Sequence, residues 1–197
     1  MKGLALLASL AIVAAACGST AAAPSASPVR LQTAVRTAAP VATAAPAAQC
    51  PAPPGPPSAK ATIVFEKGGT IVFQLRPDKA PKTVANFTAK ANKGSYDGLT
   101  FHRVVPGFVI QGGDPKGDGT GGGDQATELS DLCFAKGAVG IARAGNIQIS
   151  NDSQFYICIG ECRNLDGQYT NFGTVVSGQD VADGVRIGDK IKTITVE

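Results

Sequence analysis

The chain has 197 residues, with 18 Lys+Arg against 15 Asp+Glu and a formal net charge of +3. Lys2, Arg30 and Arg36 carry that whole excess; residues 59–197 hold as many acids as bases and offer no electrostatic footprint for nucleic acid. All eight Phe and all three Tyr fall between Phe65 and Phe172, while nine of the thirteen Pro fall between Pro24 and Pro57, which confines the core to one domain over 60–197.

At the N-terminus, Met1-Lys2, an apolar run over 4–13 and the small residues Ala14-Ala15-Ala16 describe a secretory signal peptide over 1–16. The run is too short for a spanning helix, which needs ~20 apolar residues. Cys17 directly after it resembles the bacterial lipoprotein box, in which that Cys is lipidated and becomes the new terminus. The alternative is an ordinary secreted protein cut after Ala16. Residues 18–58 are almost all Ala, Pro, Ser and Thr. They lack the large apolar side chains that offset chain entropy, so 17–59 is expected to be a disordered tether, stiffest as polyproline II over 51–57. The expected location is therefore the outer face of a bacterial cell membrane, with a lipid anchor as the only membrane contact.

The chain's 24 Gly, 21 of them in the domain, and the absence of Trp favour strands joined by tight turns. Residues 61–66 and 70–75 are β-branched and apolar, separated by Lys67-Gly68-Gly69, a hairpin signal. Over 77–93 the period changes to that of a helix, with Pro81 in its first turn, Val84, Phe87 and Ala91 as its apolar stripe and Gly94 at its cap. Strands are expected over 99–105 and 108–111, split by Pro106-Gly107, then over 137–142, 154–159, 171–176 and 190–196. Residues 114–124 read as a Gly-rich loop and 178–185 as a short helix. Eight strands with two helices predict a mainly β fold, a closed eight-stranded antiparallel barrel capped by the helices.

Several chemistries are disfavoured by the residues themselves. His102 is the single histidine and no G-x-S-x-G elbow exists, which argues against a Ser-His-Asp hydrolase. The Gly112–Gly123 run lacks a following Gly-Lys-Ser/Thr, and Asp114, Asp118 and Asp124 lack calcium-loop spacing, so neither phosphate cradle nor metal site is expected. Cys50, Cys133, Cys158 and Cys162 make an even number in an oxidising compartment, and Cys158-x-x-x-Cys162 lacks redox-pair spacing.

Residues 101–114, FHRVVPGFVIQGGD, place a cation, an aromatic and an amide at spacings of five and three on neighbouring strands. This segment resembles the central signature of the cyclophilin-type peptidyl-prolyl cis-trans isomerases. APKTVANF, GTGGG, ARAG, SQF and LDGQYTNFG stand in that family's order, so the resemblance spans 60–197. It implies isomerisation of X–Pro bonds in exported polypeptides, with no cofactor and with the protein acting as a monomer. Arg103, Phe108 and Gln111 correspond to catalytic positions, and Val109, Ala142, Arg143, Gln154, Tyr156, Leu165 and Tyr169 to substrate-binding ones. The rival reading is a non-catalytic proline-peptide binding module or chaperone on the same fold. Asn164 stands where eukaryotic members often carry Trp, and Tyr169 where they carry His. Tyr156 replaces the second aromatic of S-Q-F-F, and the loop over 146–151 is slightly longer. Weak cyclosporin binding is expected. The resemblance also brings Cys133 near Cys162 and so implies a Cys133–Cys162 disulfide, with Cys158 a buried free thiol.

Overall fold

The computed structural model describes residues 59–197. The signal peptide, Cys17 and the tether expected from the sequence lie outside the described residues. Strands β1 (Lys60–Phe65) and β2 (Thr70–Leu75) form the expected hairpin. Alternation buries Ala61, Ile63 and Phe65 from one strand and Ile71, Phe73 and Leu75 from the other. Gly68 and Gly69 turn the chain at φ 89° and 94°, a region that side-chain-bearing residues rarely enter.

Helix α1 (Pro81–Asn92) begins on its proline and buries Thr83, Val84, Phe87 and Ala91. The Phe87 ring meets those of Tyr96, Phe172, Phe73 and Phe155 at centroid distances of 5.2–5.7 Å. Next come β3 (Arg103–Val105), β4 (Val109–Gly112), β5 (Asp124–Ala126), β6 (Ala138–Ile141), β7 (Ile149–Asn151) and β8 (Phe155–Cys158). A 3-10 turn (Arg163–Leu165), β9 (Asn171–Ser177), helix α2 (Gln179–Asp183) and β10 (Ile191–Val196) complete the chain. All eight strands expected from the sequence lie in one antiparallel sheet, ordered β10-β1-β2-β9-β6-β8-β4-β3. The small β5–β7 pair was not foreseen; its strands are three residues each and mostly polar.

The closed barrel expected from the sequence is not formed. β10 and β3 are the two edges of a curled, open sheet. The segment read as one strand over 99–105 divides. Its first part lies along residues 188–191, with Ile191 N donating to Leu99 O at 2.9 Å and Phe101 N to Asp189 O at 2.9 Å. Only Arg103–Val105 then pairs with β4. The seam is thus joined by irregular backbone bonds and one isolated bridge, Thr100 to Lys190, with no continuous ladder.

The main core fills the concave side of the sheet. A second apolar cluster of Val109, Phe134, Ala138, Tyr156, Cys158, Cys162 and Leu165 covers the other side over β4, β6 and β8. Every residue of β6 and β8 is therefore buried, because both their faces are covered.

Candidate active site

Facing residues of antiparallel strands point to the same side of a sheet. Arg103 faces Gln111 across β3–β4, Gln111 faces Tyr156 across β4–β8, and Tyr156 faces Gly140 across β8–β6. The four form a row on the outer face. Gly140 is required there, since a methyl in its place would overlap the Tyr156 ring and Phe134. Phe134 supports that ring from the side at a centroid distance of 5.8 Å.

A polar chain runs along the row. Arg103 Nη1 donates to Gln111 Oε1 at 3.2 Å, and Gln111 Nε2 donates to Gln154 Oε1 at 2.9 Å. Gln154 Nε2 in turn donates to the carbonyls of Gly121 at 2.8 Å and Gly119 at 3.1 Å. The Gly-rich loop that offers those carbonyls is fastened by Asp114, whose buried carboxylate accepts from the backbone N–H groups of Lys116, Asp118 and Gly119. Burial works to raise the Asp114 carboxyl, but these donors and nearby His102 outweigh it and hold it below the usual range. An aspartate two residues past the FHRVVPGFVIQG strand pair thus sets the far end of the chain that aims Arg103.

Tyr156 contributes its ring to the site, and its hydroxyl is buried without a hydrogen-bond partner among the described residues. Burial pushes the phenol well above its ordinary value, so it stays neutral. Tyr169 meets Tyr156 edge-on at 6.0 Å, and the Arg143 guanidinium lies over the Tyr169 ring at 4.4 Å. Arg143 Nε also donates to Gln168 O at 3.0 Å.

These side chains enclose a cavity of about 250 Å³ lined by Arg103, Phe108, Val109, Gln111, Ala142, Arg143, Tyr156, Leu165 and Tyr169. Every catalytic and substrate-binding position named from the sequence lines it except Gln154. Gln154 lines an adjoining cavity of about 310 Å³ that shares Gln111, Ala142 and Arg143 with the first. A third cavity, of about 250 Å³, is lined by Asp124, Ala144, Asn146, Ile149, Ser150 and Asn151. It shares Asp124, Ala144 and Asn151 with the second. Gly140 and Phe134 escaped the sequence reading, and Asp114 entered it only as a rejected metal ligand and the end of the 101–114 segment. Gly140 carried a usable signal, a glycine interrupting an apolar strand, which often marks a close approach.

The Cys133–Cys162 disulfide is corrected. Cys133 is disulfide-bonded, but Cys162 is a free, buried thiol, as is Cys158. The backbones do run side by side, with Cys162 N donating to Phe134 O at 2.9 Å. The Cys162 thiol instead donates to Phe108 O at 3.3 Å. Burial is the main cause raising both free thiols, which makes them poor nucleophiles.

Comparison with known proteins gives a consistent picture. The family model described as cyclophilin type peptidyl-prolyl cis-trans isomerase/CLD matches residues 61–196. Peptidyl-prolyl cis-trans isomerase B of Bacillus subtilis is 46% identical over 139 residues, which cover 68% of this chain and 96% of that protein. The peptidyl-prolyl cis-trans isomerase of Synechococcus elongatus is 41% identical over 141 residues, covering 70% of this chain and 95% of the relative. The crystal structure of a Cryptosporidium parvum cyclophilin type isomerase, obtained in the presence of the dipeptide Ala-Pro, matches with a TM-score of 0.65. It is 29% identical and covers 70% of this chain and 98% of that one.

Proposed function

The chain belongs to the cyclophilin type peptidyl-prolyl cis-trans isomerases, and from that premise we propose how its cleft lowers the X–Pro barrier and where in the cell it acts. Rotation about a peptide bond loses amide resonance and faces a barrier of ~18–20 kcal/mol. No bond is made or broken, so the catalyst needs only to hold the twisted amide more tightly than either planar form. In the twisted state the proline nitrogen becomes pyramidal and gains a lone pair. Arg103 is the donor for that lone pair, its planar guanidinium aimed by Gln111. Phe108, Val109, Tyr156, Leu165 and Tyr169 hold the ring while the acyl side rotates. Gln111 steadies the rotating carbonyl.

The residues before proline run over Ala142 and Arg143 toward Gln154. Among the described residues, the Arg143 peptide N–H and carbonyl have no backbone partner, so an extended peptide can pair with them as an added strand. Asn164, exposed on the 3-10 turn, supports weak cyclosporin binding, because no indole donor stands there.

The observation that carries the catalytic reading is Arg103 held at 3.2 Å by Gln111 on the wall of an aromatic cavity. Arg103→Ala should lower turnover of a generic Xaa-Pro peptide by about 10²–10³-fold, the usual effect of removing one such donor. Peptide affinity, set by the apolar cup, should change far less. Arg103→Lys should rescue little, since a point ammonium lacks the planar fork. A folded Arg103→Ala protein working at near wild-type rate would favour the binding-module reading.

The enzyme is an exported lipoprotein acting on polypeptides that fold outside the cytoplasm. Supporting this are the signal-like residues 1–16, Cys17 after three alanines, and the disulfide at Cys133, which suits an oxidising compartment. Wild-type protein should partition into detergent, and Cys17→Ser should abolish that. A wild-type protein free of lipid by mass would sink the anchor.

A further inference from the structure

The cleft does not end where the residues preceding proline are gripped. Its second cavity adjoins the third, the two sharing Asp124, Ala144 and Asn151 as lining. Most polar groups around that third cavity are engaged within the chain. Ser150 Oγ bonds Thr127 Oγ1 at 2.8 Å. Asn151 donates to Gly121 O and accepts from the Ser153 and Gln154 N–H groups. Asn146 accepts from Gln148 N at 2.9 Å. Asp124 differs: it is exposed, and no ion pair engages it among the described residues. Ile149, which pairs with Ala126 two residues along β5 and so shares a face with Asp124, leaves 40% of its surface exposed.

We infer that the third cavity is a specificity subsite for a lysine or arginine upstream of the isomerising proline, its aliphatic stem lying on Ile149 and its cation meeting Asp124. This rests on the reading above that residues before proline run over Ala142–Arg143. A wholly apolar side chain would leave the carboxylate unmatched, and an acidic one would be repelled. A long cationic side chain satisfies both walls, because such residues bury their methylenes while keeping the charge in water. Side chains of an extended segment share a face at every second residue. With proline in the first cavity, the third therefore receives the side chain about four residues before it.

The test uses peptides with a single proline in an all-alanine background, carrying Lys, norleucine, Ala or Glu at each of five preceding and three following positions. Their kcat/KM is measured on the wild-type protein, Asp124→Asn and Ile149→Ser. Lysine should exceed alanine by about threefold to tenfold at one upstream position, with norleucine between them and Glu below alanine, in keeping with a solvent-exposed ion pair plus partial stem burial. In Asp124→Asn the Lys-to-Ala ratio should fall to that of norleucine, and in Ile149→Ser the norleucine advantage should vanish. If the all-alanine peptide turns over but no upstream lysine advantage responds to Asp124→Asn, this inference falls and the catalytic reading stands. A responsive lysine position after the proline would overturn the direction of binding and the subsite together.

Discussion

His102 adjoins Arg103, the residue proposed above as catalytic, and has no role in that proposal. It is half-buried, and its Nδ1 is enclosed without a partner among the described residues. Burial is the main cause lowering its pKa; Arg103 adds to this, while Asp114 and Asp118 oppose it. The unfolded chain therefore takes up a proton near pH 6.5 that the folded chain still refuses, so the unfolded state binds more protons in that range. Stability should fall as the pH drops from about 6.5 toward the lower folded pKa. His102→Gln should flatten that slope, since the chain has one histidine, and should leave turnover largely intact. Urea midpoints of both proteins between pH 5 and 7.5 decide the matter, and equal slopes would refute it. The neighbouring strands that carry Arg103 and Gln111 were legible in the sequence. The orientation of Arg103 was not, because it depends on Gln111, Gln154 and a loop fastened by Asp114, partners as far along the chain as Gln154.

Helix α1 shows what local sequence can and cannot supply. Pro81, the stripe of Val84, Phe87 and Ala91, and Gly94 at φ 69° were all readable, and they fixed its limits and its buried face. Its cap was not readable. Ala80 offers no side-chain oxygen, and the orphan N–H groups of Lys82 and Thr83 donate instead to the two carboxylate oxygens of Glu128, at 3.1 and 2.8 Å. A carboxylate at that end also suits the helix dipole. Glu128→Ala should destabilise the domain by about 1 kcal/mol, as loss of a cap usually does. Glu128→Gln should recover part of it, because an amide oxygen still accepts one bond. Urea denaturation measures both, and an alanine variant as stable as wild type would show that water replaces the cap. The β5–β7 pair was hidden for a related reason: Gln125 and Ser150 belong to no apolar pattern, and only their tertiary setting brings them together.

For the molecule as a whole, hydrophobic alternation located all eight strands of the large sheet, since each pattern is local. Closure depends on how the first and last elements meet, which no local pattern encodes, and there the reading failed. The disulfide failed likewise, because a resemblance that brings Cys133 near Cys162 does not set connectivity. The open seam carries a consequence for motion. β3 bears Arg103, is three residues long and is laddered on one side only, whereas β8 lies between β4 and β6. β3 can therefore breathe without unpacking the aromatic core, since opening it breaks few bonds. In deuterium exchange followed by mass spectrometry, peptides spanning 103–105 should label well before those spanning 155–158, and a saturating proline peptide should slow the first set. Equal protection of the two would contradict this. The Arg103 guanidinium thus rides on the shortest strand of the sheet, laddered on one side only, and under the proposed mechanism a docked client would complete its mooring.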